Sequence, residues 1–427
     1  MASQTVMKKD AHRILMIAPY FPPRKRVGSQ RPYRMAVRLK SLGWQPAIVT
    51  IDSSSRLGEE EIALLEGIPI LSLKTPLDRT TSGTNHGASY RIEETFSFIA
   101  RWFPIDTWLP LLWLHRRSVI AYARQFNPDV VWSTADPWSS HWLGRTVAKA
   151  LRVKWVADFR DPWMLCPVRN QRRSRLTQVY DRRIERRWIN DADKIIFTSC
   201  VTEERYRLFY PASASRMSTI YNGFENMVYE EMTQRPHKSS ANEIRIVFLG
   251  AFRWLSPAIP VIAMLKRLKE INDGINPSVK IISFAPLTDQ DRILAESAGV
   301  LSHFEVHKPV YGNAMLDELL TYDILLVSAS EMRNDIIPAK LWDYMPIGRP
   351  VLSLATNSEI SHILHDTGIG IQLSPQDAAD GLFQILQGAA IHQLLRFNPR
   401  IEQINKYSSE NGASKLAEQL STLCHLH

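Results

Sequence analysis

The chain has 427 residues, of which 45% are hydrophobic and 22% charged. This composition excludes a disordered or fibrous protein, and the length suits two α/β lobes better than one ordinary core. A net charge of +9 favours a polyanion or an anionic surface as a neighbour. The three cysteines, Cys166, Cys200 and Cys424, lie far apart and match no zinc or redox spacing, which is typical of a reducing cytosol.

Neither a signal peptide nor a membrane span is predicted. Residues 1–12 lack the apolar core of a signal peptide, and no stretch approaches the roughly 20 apolar residues that cross a bilayer. We therefore expect a cytoplasmic protein, either free or lying on the inner face of the cell membrane.

The first elements form a βαβ unit. An almost continuous apolar run at 13–20 predicts a buried parallel strand, a helical pattern at 31–43 ends at a C-cap glycine, and 45–51 is the next strand. Such units close right-handed into parallel sheets. The alternation then recurs, with further strands predicted at 129–134, 154–159, 194–199 and 218–222.

The second half repeats this rhythm after a polar stretch at 230–243, which has no periodicity and predicts a linker. Strands are predicted at 244–250, 279–285, 323–329 and 350–355, and helices at 260–271, 314–320, 338–345 and 409–423. The predicted domains are a tail (1–12), an acceptor-side domain (13–229), the linker, a donor-binding domain (244–408) and a final helix (409–427), which would pack back on the first domain. Two doubly wound, Rossmann-like lobes would face a central cleft at the carboxyl ends of their strands.

The segment 330–354 (SEMRNDIIPAKLWDYMPIGRPVLSL) carries the most chemical information. Pro338 suits a first helical turn, so the amides of Ala339 and Lys340 would face a phosphate, and Lys340 adds a positive charge. Asp335 and Asp343 supply carboxylates for sugar hydroxyls. The alternative is that Asp335 caps the helix while Lys340 and Asp343 are solvated surface charges.

This segment resembles the donor-binding motif of glycosyltransferase family 4, the large retaining GT-B family. The motif has two acids separated by seven residues and then a Gly-x-Pro turn, matched by Asp335, Asp343, Gly348 and Pro350. The resemblance implies that Asp335 contacts the donor sugar and Asp343 the nucleotide ribose. The family has glutamates at both positions, so each carboxylate here lies one methylene closer to the backbone.

Other stretches extend the resemblance to the donor side. Residues 18–44 are similar to the family's opening loop and first helix, where Gly28 would let the backbone approach the donor; taken alone, Gly28 is an ordinary turn residue. Residues 246–260 are similar to the first strand and loop of the donor lobe. Arg253 is the only cation of that loop, and the resemblance implies that Arg253 and Lys340 hold the diphosphate.

On the acceptor side, 156–163 (VADFRDPW) resembles the end of a strand and its loop. Asp158, Arg160 and Asp161 would hold acceptor hydroxyls or phosphate, or they would form an internal Arg–Asp pair. His141 follows the ADPWSS loop and is either an acceptor contact or a partly buried hydrogen-bonding residue.

Arginines crowd into residues 169–187, beside an aromatic-rich stretch at 101–117 that holds Trp102, Trp108 and Trp113. Basic and aromatic residues together are typical of a surface facing anionic lipid. The alternative is that the tryptophans pack inside the first lobe. Nucleic acid is not an expected partner because the chain has no known nucleic-acid-binding module.

Two other enzyme classes are also excluded. The chain lacks the G-x-G-x-x-G signature of nicotinamide dehydrogenases and the P-loop signature of NTPases.

These features predict an enzyme that moves a sugar from a nucleotide-diphosphate sugar to a glycan or lipid-linked acceptor, in cell-surface polysaccharide or glycolipid biosynthesis. The resemblance implies retained configuration, no bound metal and no cofactor beyond the donor itself. Two alternatives stay open: a GT-B nucleotide-sugar 2-epimerase, and a catalytically silent nucleotide-sugar-binding subunit.

Overall fold

The computed structural model describes residues 11–23, 27–52, 59–75, 103–171, 173–225, 243–275, 277–310 and 313–425. The chain divides into two compact units, Met1–Tyr221 with Gly412–His427, and Asn222–Asn411. The predicted linker at 230–243 lies outside the described residues except for Glu243, and the predicted tail does so except for residues 11 and 12.

The first unit is built on a parallel sheet with the strand order β3-β2-β1-β4-β5-β6-β7. Its central strands are buried along most of their length because helices cover both faces of the sheet. The strands are β1 (Arg13–Ile17), β2 (Gln45–Ile51), β3 (Ile70–Leu73), β4 (Val130–Thr134), β5 (Lys154–Arg160), β6 (Lys194–Phe197) and β7 (Met217–Thr219).

Helices pack on both faces of this sheet. They are α1 (Val27–Ser41), α2 (Glu59–Leu65), α3 (Leu109–Phe126), α4 (Ser139–Leu151), α5 (Pro167–Gln171), α6 (Arg175–Asp191) and α7 (Cys200–Phe209), followed by a 3-10 turn (Pro211–Arg216). On one face, Leu112 of α3, Leu143 of α4 and Trp188 of α6 share a core with the sheet. Met35 of α1 belongs to the core on the other face.

The second unit has a parallel sheet with the order β10-β9-β8-β11-β12-β13. Its strands are β8 (Ile244–Phe248), β9 (Val279–Ser283), β10 (Phe304–Val306), β11 (Ile324–Val327), β12 (Val351–Ser353) and β13 (Gly370–Gln372). Its helices are α8 (Ile259–Ile271), α9 (Asp289–Ser297), α10 (Asn313–Leu319), α11 (Ala339–Tyr344), α12 (Ser358–Thr367), α13 (Pro375–Leu386), α14 (Ile391–Leu394) and α15 (Ile401–Asn405). Short 3-10 turns lie at Leu301–His303 and Glu331–Arg333.

The last helix, α16 (Ser409–His425), contributes Ala413, Leu416 and Leu420 to the core that also holds Ile14 and Met35 of the first unit. The C-terminal end of the chain is therefore part of the first unit, which otherwise ends at Tyr221.

Each sheet has a point at which the chain reverses its direction of winding. β1 lies between β2 and β4, and β8 lies between β9 and β11, so successive strands are added first on one side and then on the other. Connections that leave in opposite directions open a crevice at the carboxyl ends of these two strands, where doubly wound proteins bind ligands.

The predicted α/β class with two doubly wound parallel sheets is confirmed. Strands β3, β10 and β13 are absent from the sequence prediction. All three are short sheet edges with partly exposed residues, so they lack the continuous apolar run that identified the central strands.

Candidate functional site

The first unit has a cavity of about 300 Å³ at the crevice between β1 and β4. Its lining combines aromatic, charged and backbone groups from the end of β5, the start of α1 and the segments that follow β1, β4 and β5: Tyr20, Gly28, Ala135, Asp136, Trp138, Phe159, Arg160 and Asp161. The structure therefore brings together Gly28, Arg160 and Asp161 of the predicted site residues.

Asp158 does not line this cavity. Its carboxylate is fully buried and accepts two hydrogen bonds from Arg31, from Nε to Oδ2 and from Nη2 to Oδ1, each at 2.9 Å. Thr134 Oγ1 donates to Oδ2 at 2.8 Å. Arg31 also donates through Nη1 to the carbonyl oxygens of Ile220 and Tyr221, both at 3.0 Å.

Asp158 is thus half of an internal Arg–Asp pair, which corrects its assignment as an acceptor contact. Its partner is Arg31 and not the neighbouring Arg160. Because their separation in sequence is 127 residues, no local spacing could have revealed the pair.

Arg160 joins the start of α1 to the loop after β4. The register between β5 and β6 shifts between Asp158 and Arg160, and Arg160 has a φ of 61°. Its Nη1 donates to the carbonyl oxygens of Gly28, at 3.0 Å, and Ala135, at 2.9 Å. Burial lowers the pKa of the guanidinium, an effect that the carboxylates of Asp161 and Asp158 oppose. The charge therefore sits in the wall of the cavity, fixed by two carbonyls.

His141 lies inside the core, which corrects its assignment to the acceptor side. The side chain is fully buried, stacks on Phe159 with ring centres 4.7 Å apart, and shares a hydrogen bond of 2.9 Å between Nδ1 and Ser133 Oγ. Burial lowers the pKa of His141 to about 3, so the ring is neutral at physiological pH. The imidazole faces the sheet from the first turn of α4 and not the cavity.

In the second unit, Lys340 lies at the crevice between β8 and β11. It belongs to α11, which follows β11, and its Nζ lies 4.4 Å from the ring centre of Phe248, the last residue of β8. Its Cε would be 3.8 Å from a Cβ at Gly250, a glycine with a φ of 101° in the loop after β8. The lysine stem and ammonium therefore cover the end of the first strand of this sheet.

The ammonium of Lys340 is a partly buried cation. Burial lowers its pKa to about 8, while Asp343 opposes the change and Arg253 adds to it. Within the ranges that the structure describes, no group accepts a hydrogen bond from Nζ. A cation held out of water with few partners favours an anion beside it, because an anion restores the lost solvation.

Two neighbours of Lys340 fix the helix that carries it. Pro338 is the N-cap of α11 with a φ of −57°, so the helix begins at Ala339 without a capping side chain on its N-cap residue. Tyr344 is buried, and its hydroxyl accepts a hydrogen bond of 2.8 Å from the amide of Leu249. Burial raises the pKa of Tyr344 well above its usual range. This bond ties α11 to the end of β8.

Asp335 is buried in the loop before α11, where its Oδ1 accepts a hydrogen bond from Arg333 Nε at 3.0 Å. Asn357 holds the same loop, donating from Nδ2 to the carbonyl of Ile336 at 3.0 Å. Its Oδ1 accepts from the amide of Glu359 at 2.8 Å and caps α12. Neither Arg333 nor Asn357 was singled out from the sequence, although Asn-Ser-Glu before an apolar run is a helix-start signal.

Arg253 is exposed and sits in a tight turn, in which its amide and carbonyl pair with those of Ser256 at 3.0 and 2.9 Å. Its influence on the pKa of Lys340 shows that the two charges are neighbours. The structure thus groups Lys340, Arg253 and Asp343 at one crevice. Ala339 begins the helix beside them.

The described residues contain no group of three or more His, Cys, Asp or Glu side chains that could hold a metal ion. Metal independence stays a prediction. Among the same residues, no helix has the length and apolar character needed to cross a membrane.

Residues 29–226 match the family model described as Glycosyltransferase Family 4. The predicted resemblance to this family is confirmed. The match covers most of the first unit but not β1 or α16, whereas the motif first recognised in the sequence lies in the second unit. No curated protein sequence matches the chain.

Solved structures extend the likeness in fold over both units. A sucrose-phosphate synthase from Thermosynechococcus elongatus has a TM-score of 0.63 at 15% identity and covers 97% of this chain and 100% of its own. Anabaena HepE in complex with UDP-glucose has a TM-score of 0.59 at 14% identity, covering 96% and 99%. A putative UDP-N-acetylglucosamine 2-epimerase from Listeria monocytogenes has a TM-score of 0.52 at 10% identity, covering 95% of each chain. The chain has the GT-B fold of these proteins.

Proposed function

We propose that this chain is a retaining glycosyltransferase that moves a sugar from a nucleotide-diphosphate sugar to a glycan or lipid-linked acceptor. The observation that carries the proposal is Lys340, a partly buried ammonium without a hydrogen-bond partner among the described residues, held over Phe248 at the crevice of the second sheet. Among the chain's structural neighbours, HepE is solved with UDP-glucose, which supports a nucleotide sugar as the donor.

Lys340 supplies what the departing diphosphate needs. Negative charge grows on the leaving oxygen as the bond to the sugar breaks, and a cation fixed in a poorly solvated position stabilises that charge more than a mobile one in water. A pKa of about 8 leaves the ammonium mostly protonated at pH 7. An adjacent phosphate would raise that pKa further, so binding itself secures the charge.

The residues around Lys340 complete the donor site in this proposal. Arg253 adds a second, exposed charge for the diphosphate. Asp343 lies one turn from the helix start and accepts hydrogen bonds from the ribose. Pro338 and Ala339 present the helix start beside the phosphates.

Two further donor contacts come from outside α11. Asp335 faces the donor sugar in this scheme, and its pairing with Arg333 means that Arg333 sets the orientation of the carboxylate. The family resemblance also implies a backbone approach to the donor at Gly28, which in the structure lines the cavity of the first unit. The Gly28 carbonyl is held by Arg160.

We place the acceptor at the cavity of the first unit. Asp161 and Asp136 offer carboxylates to hydroxyl groups, and the Trp138 and Tyr20 rings offer apolar faces of the kind that sugar rings stack on. Arg160 donates hydrogen bonds to the carbonyl oxygens of Gly28 and Ala135, so its main role in this proposal is to position the backbone that lines the cavity. Retention follows in the scheme that the family resemblance implies, in which a donor phosphate oxygen takes the proton of the acceptor hydroxyl. No metal and no further cofactor is required.

The cellular setting is part of the proposal. All three cysteines are unpaired thiols, as expected in a reducing compartment. We propose that the enzyme works on the cytoplasmic side, at the inner face of the cell membrane, in the synthesis of cell-surface polysaccharide or glycolipid.

Transfer assays with purified protein test this function. Thermal-shift screening against UDP, GDP, ADP and their sugars identifies the donor, since a ligand at 100 times its Kd adds about 2.7 kcal/mol of stability. With that donor, we expect Lys340→Ala to lower turnover at least 100-fold, while Lys266→Ala, which removes an exposed lysine of α8, leaves turnover unchanged. Unchanged turnover in Lys340→Ala would remove Lys340 from the mechanism, and an inverted linkage in the NMR spectrum of the product would remove retention.

An epimerase is the second candidate because a putative UDP-N-acetylglucosamine 2-epimerase shares the fold. It would convert the nucleotide sugar without an acceptor, which the same NMR experiment detects when the acceptor is left out. A binding-only subunit would show a thermal shift and no conversion in either mixture.

A further inference from the structure

The exposed faces of α3 and α6 combine apolar and cationic side chains in an ordered way. In α6, the buried face is formed by Thr177, Asp181, Glu185, Trp188 and Ile189. The opposite face carries Leu176, Val179 and Tyr180 in the first turns. Leu176 is 80% exposed, and Val179 and Tyr180 beside it are 48% and 49% exposed, so the three form one exposed apolar patch.

The second half of the same exposed face is cationic. Seven residues after each apolar side chain, hence on the same side of the helix, comes an arginine: Arg183 after Leu176, Arg186 after Val179 and Arg187 after Tyr180. The acids of this helix up to Glu185 point inward: Asp181 pairs with Arg173, and Glu185 accepts hydrogen bonds from two tyrosines. None of the three arginines forms an ion pair with a carboxylate of the described residues.

The helix α3 has a similar face. Trp113 and Leu114, 52% and 67% exposed, lie in its first turns, and Arg117 follows on the same side. The guanidinium of Arg116 lies over the Trp113 ring, 4.0 Å from the ring centre, so a cation packs directly on this exposed aromatic side chain.

The starts of the two helices are tied to each other. Residues 103–108 precede α3, and Arg173, just before α6, donates from Nη2 to the carbonyl of Phe103 at 2.7 Å. The amide of Ile105 donates to Asp181 Oδ1 at 2.8 Å. The apolar halves of both faces therefore lie at one end of the first unit.

That end is also where the acceptor cavity opens. Trp108, the residue before α3, donates from Nε1 to the hydroxyl of Tyr20 at 3.0 Å, and Tyr20 lines the cavity. Helices that return to the start of a parallel strand begin near the carboxyl edge of the sheet. The exposed apolar side chains and the cavity thus share the carboxyl edge of the first sheet.

We propose that these faces of α3 and α6 form a docking surface for an anionic lipid bilayer. The apolar side chains enter the interface between headgroups and acyl chains, and the arginines behind them contact the phosphates of anionic lipids. A lipid partner is favoured over nucleic acid because nucleic acid offers phosphates for the arginines but no apolar phase for Leu176, Val179 and Leu114. In the proposed glycosyltransferase, docking would bring the acceptor cavity to the bilayer that holds a lipid-linked acceptor.

Vesicle sedimentation of the full chain tests the docking surface without any turnover, so its outcome is independent of the proposed transfer reaction. We expect binding to vesicles of phosphatidylglycerol mixed with phosphatidylcholine and little binding to phosphatidylcholine alone. Arg183→Gln with Arg187→Gln should weaken binding about 30-fold, since each arginine near an anionic surface contributes about fivefold. Leu176→Ser with Tyr180→Ser should also weaken it.

Matched controls lie in the second unit. Lys266→Gln with Arg267→Gln removes the same charge from α8, and Ile275→Ser with Ile293→Ser removes two exposed isoleucines, which are 67% and 57% exposed. Both controls should bind as the unaltered chain does. Equal affinity for neutral and anionic vesicles, loss of binding in the controls as large as in the α6 variants, or a preference for a DNA duplex at the same salt concentration would each overturn the proposal. Circular dichroism confirms that every variant is folded.

Discussion

Replacing Lys340 by methionine should stabilise the fold while it removes activity. Methionine keeps an unbranched apolar chain over Phe248 but carries no charge. The difference between the ordinary lysine pKa of 10.5 and about 8 in the folded chain corresponds to roughly 3 kcal/mol of penalty for holding the ammonium in this position. Lys340→Met should recover up to this amount at pH 7. For a unit of this size, that amounts to roughly 6–12 °C in Tm.

The sign of the pH dependence follows from the direction of the pKa change. Below pH 8 both the folded and the unfolded chain hold a protonated Lys340, so the penalty is present in full. Between about pH 8 and 10.5 the folded state loses this proton before the unfolded state does, and the stability of the unaltered chain rises relative to Lys340→Met. The advantage of the variant should vanish above that window.

Chemical denaturation followed at several pH values measures this difference, with Lys266→Met on α8 as the control that changes an exposed lysine and should shift nothing. The donor-dependent thermal shift should be lost in Lys340→Met and kept in the control. If Lys340→Met is as stable as the unaltered chain or less stable at pH 7, the ammonium is well solvated and the argument for a partly buried cation at this crevice is wrong.

Three further outcomes are expected. Asp158→Asn should destabilise the first unit by about 3–5 kcal/mol in urea denaturation, because it leaves Arg31 as an uncompensated buried charge; a loss below 1 kcal/mol would show that the pair is not needed for folding. Asp343→Asn should weaken nucleoside diphosphate binding about 10- to 100-fold by calorimetry, since it removes a charged hydrogen-bond acceptor from the ribose, and an unaltered Kd would exclude that contact. Transfer activity should survive dialysis against EDTA, and loss that returns with added Mg²⁺ would disprove metal independence.

The central architecture could be predicted because its physical signal is local. A parallel strand buried on both faces must be apolar throughout, and β1, β2, β8 and β9 are visible in the sequence for that reason. The edge strands β3, β10 and β13 have residues exposed to solvent and no such run. Pro338 marked the start of α11 for an equally local reason, its fixed φ.

The side chains that build the sites were predicted less well because their partners are distant in sequence. Arg160 was identified with its role left open, and only the fold shows that it binds the carbonyls of Gly28 and Ala135. His141 follows a loop that lines the cavity, but the direction of its side chain depends on the turn of α4 that carries it. The pairing of Arg31 with Asp158 could not be predicted from the sequence, because arginines in helices are ordinarily exposed at the surface.

A comparison of the two crevices explains why Lys340 is the stronger candidate for binding a ligand. Each crevice holds a cation whose pKa burial lowers, Arg160 in the first unit and Lys340 in the second. Arg160 lies beside Gly28 at the start of α1, and Lys340 lies beside Gly250 in the loop after β8. The guanidinium of Arg160 is already occupied by the carbonyls of Gly28 and Ala135, so its charge serves the shape of the cavity. The ammonium of Lys340 has no such acceptor among the described residues, so an incoming phosphate would displace no protein hydrogen-bond acceptor from it. The two units therefore use a partly desolvated cation differently. Backbone carbonyls bind Arg160, which holds the cavity wall, whereas no carbonyl of the described residues binds Lys340, which is left to bind a ligand.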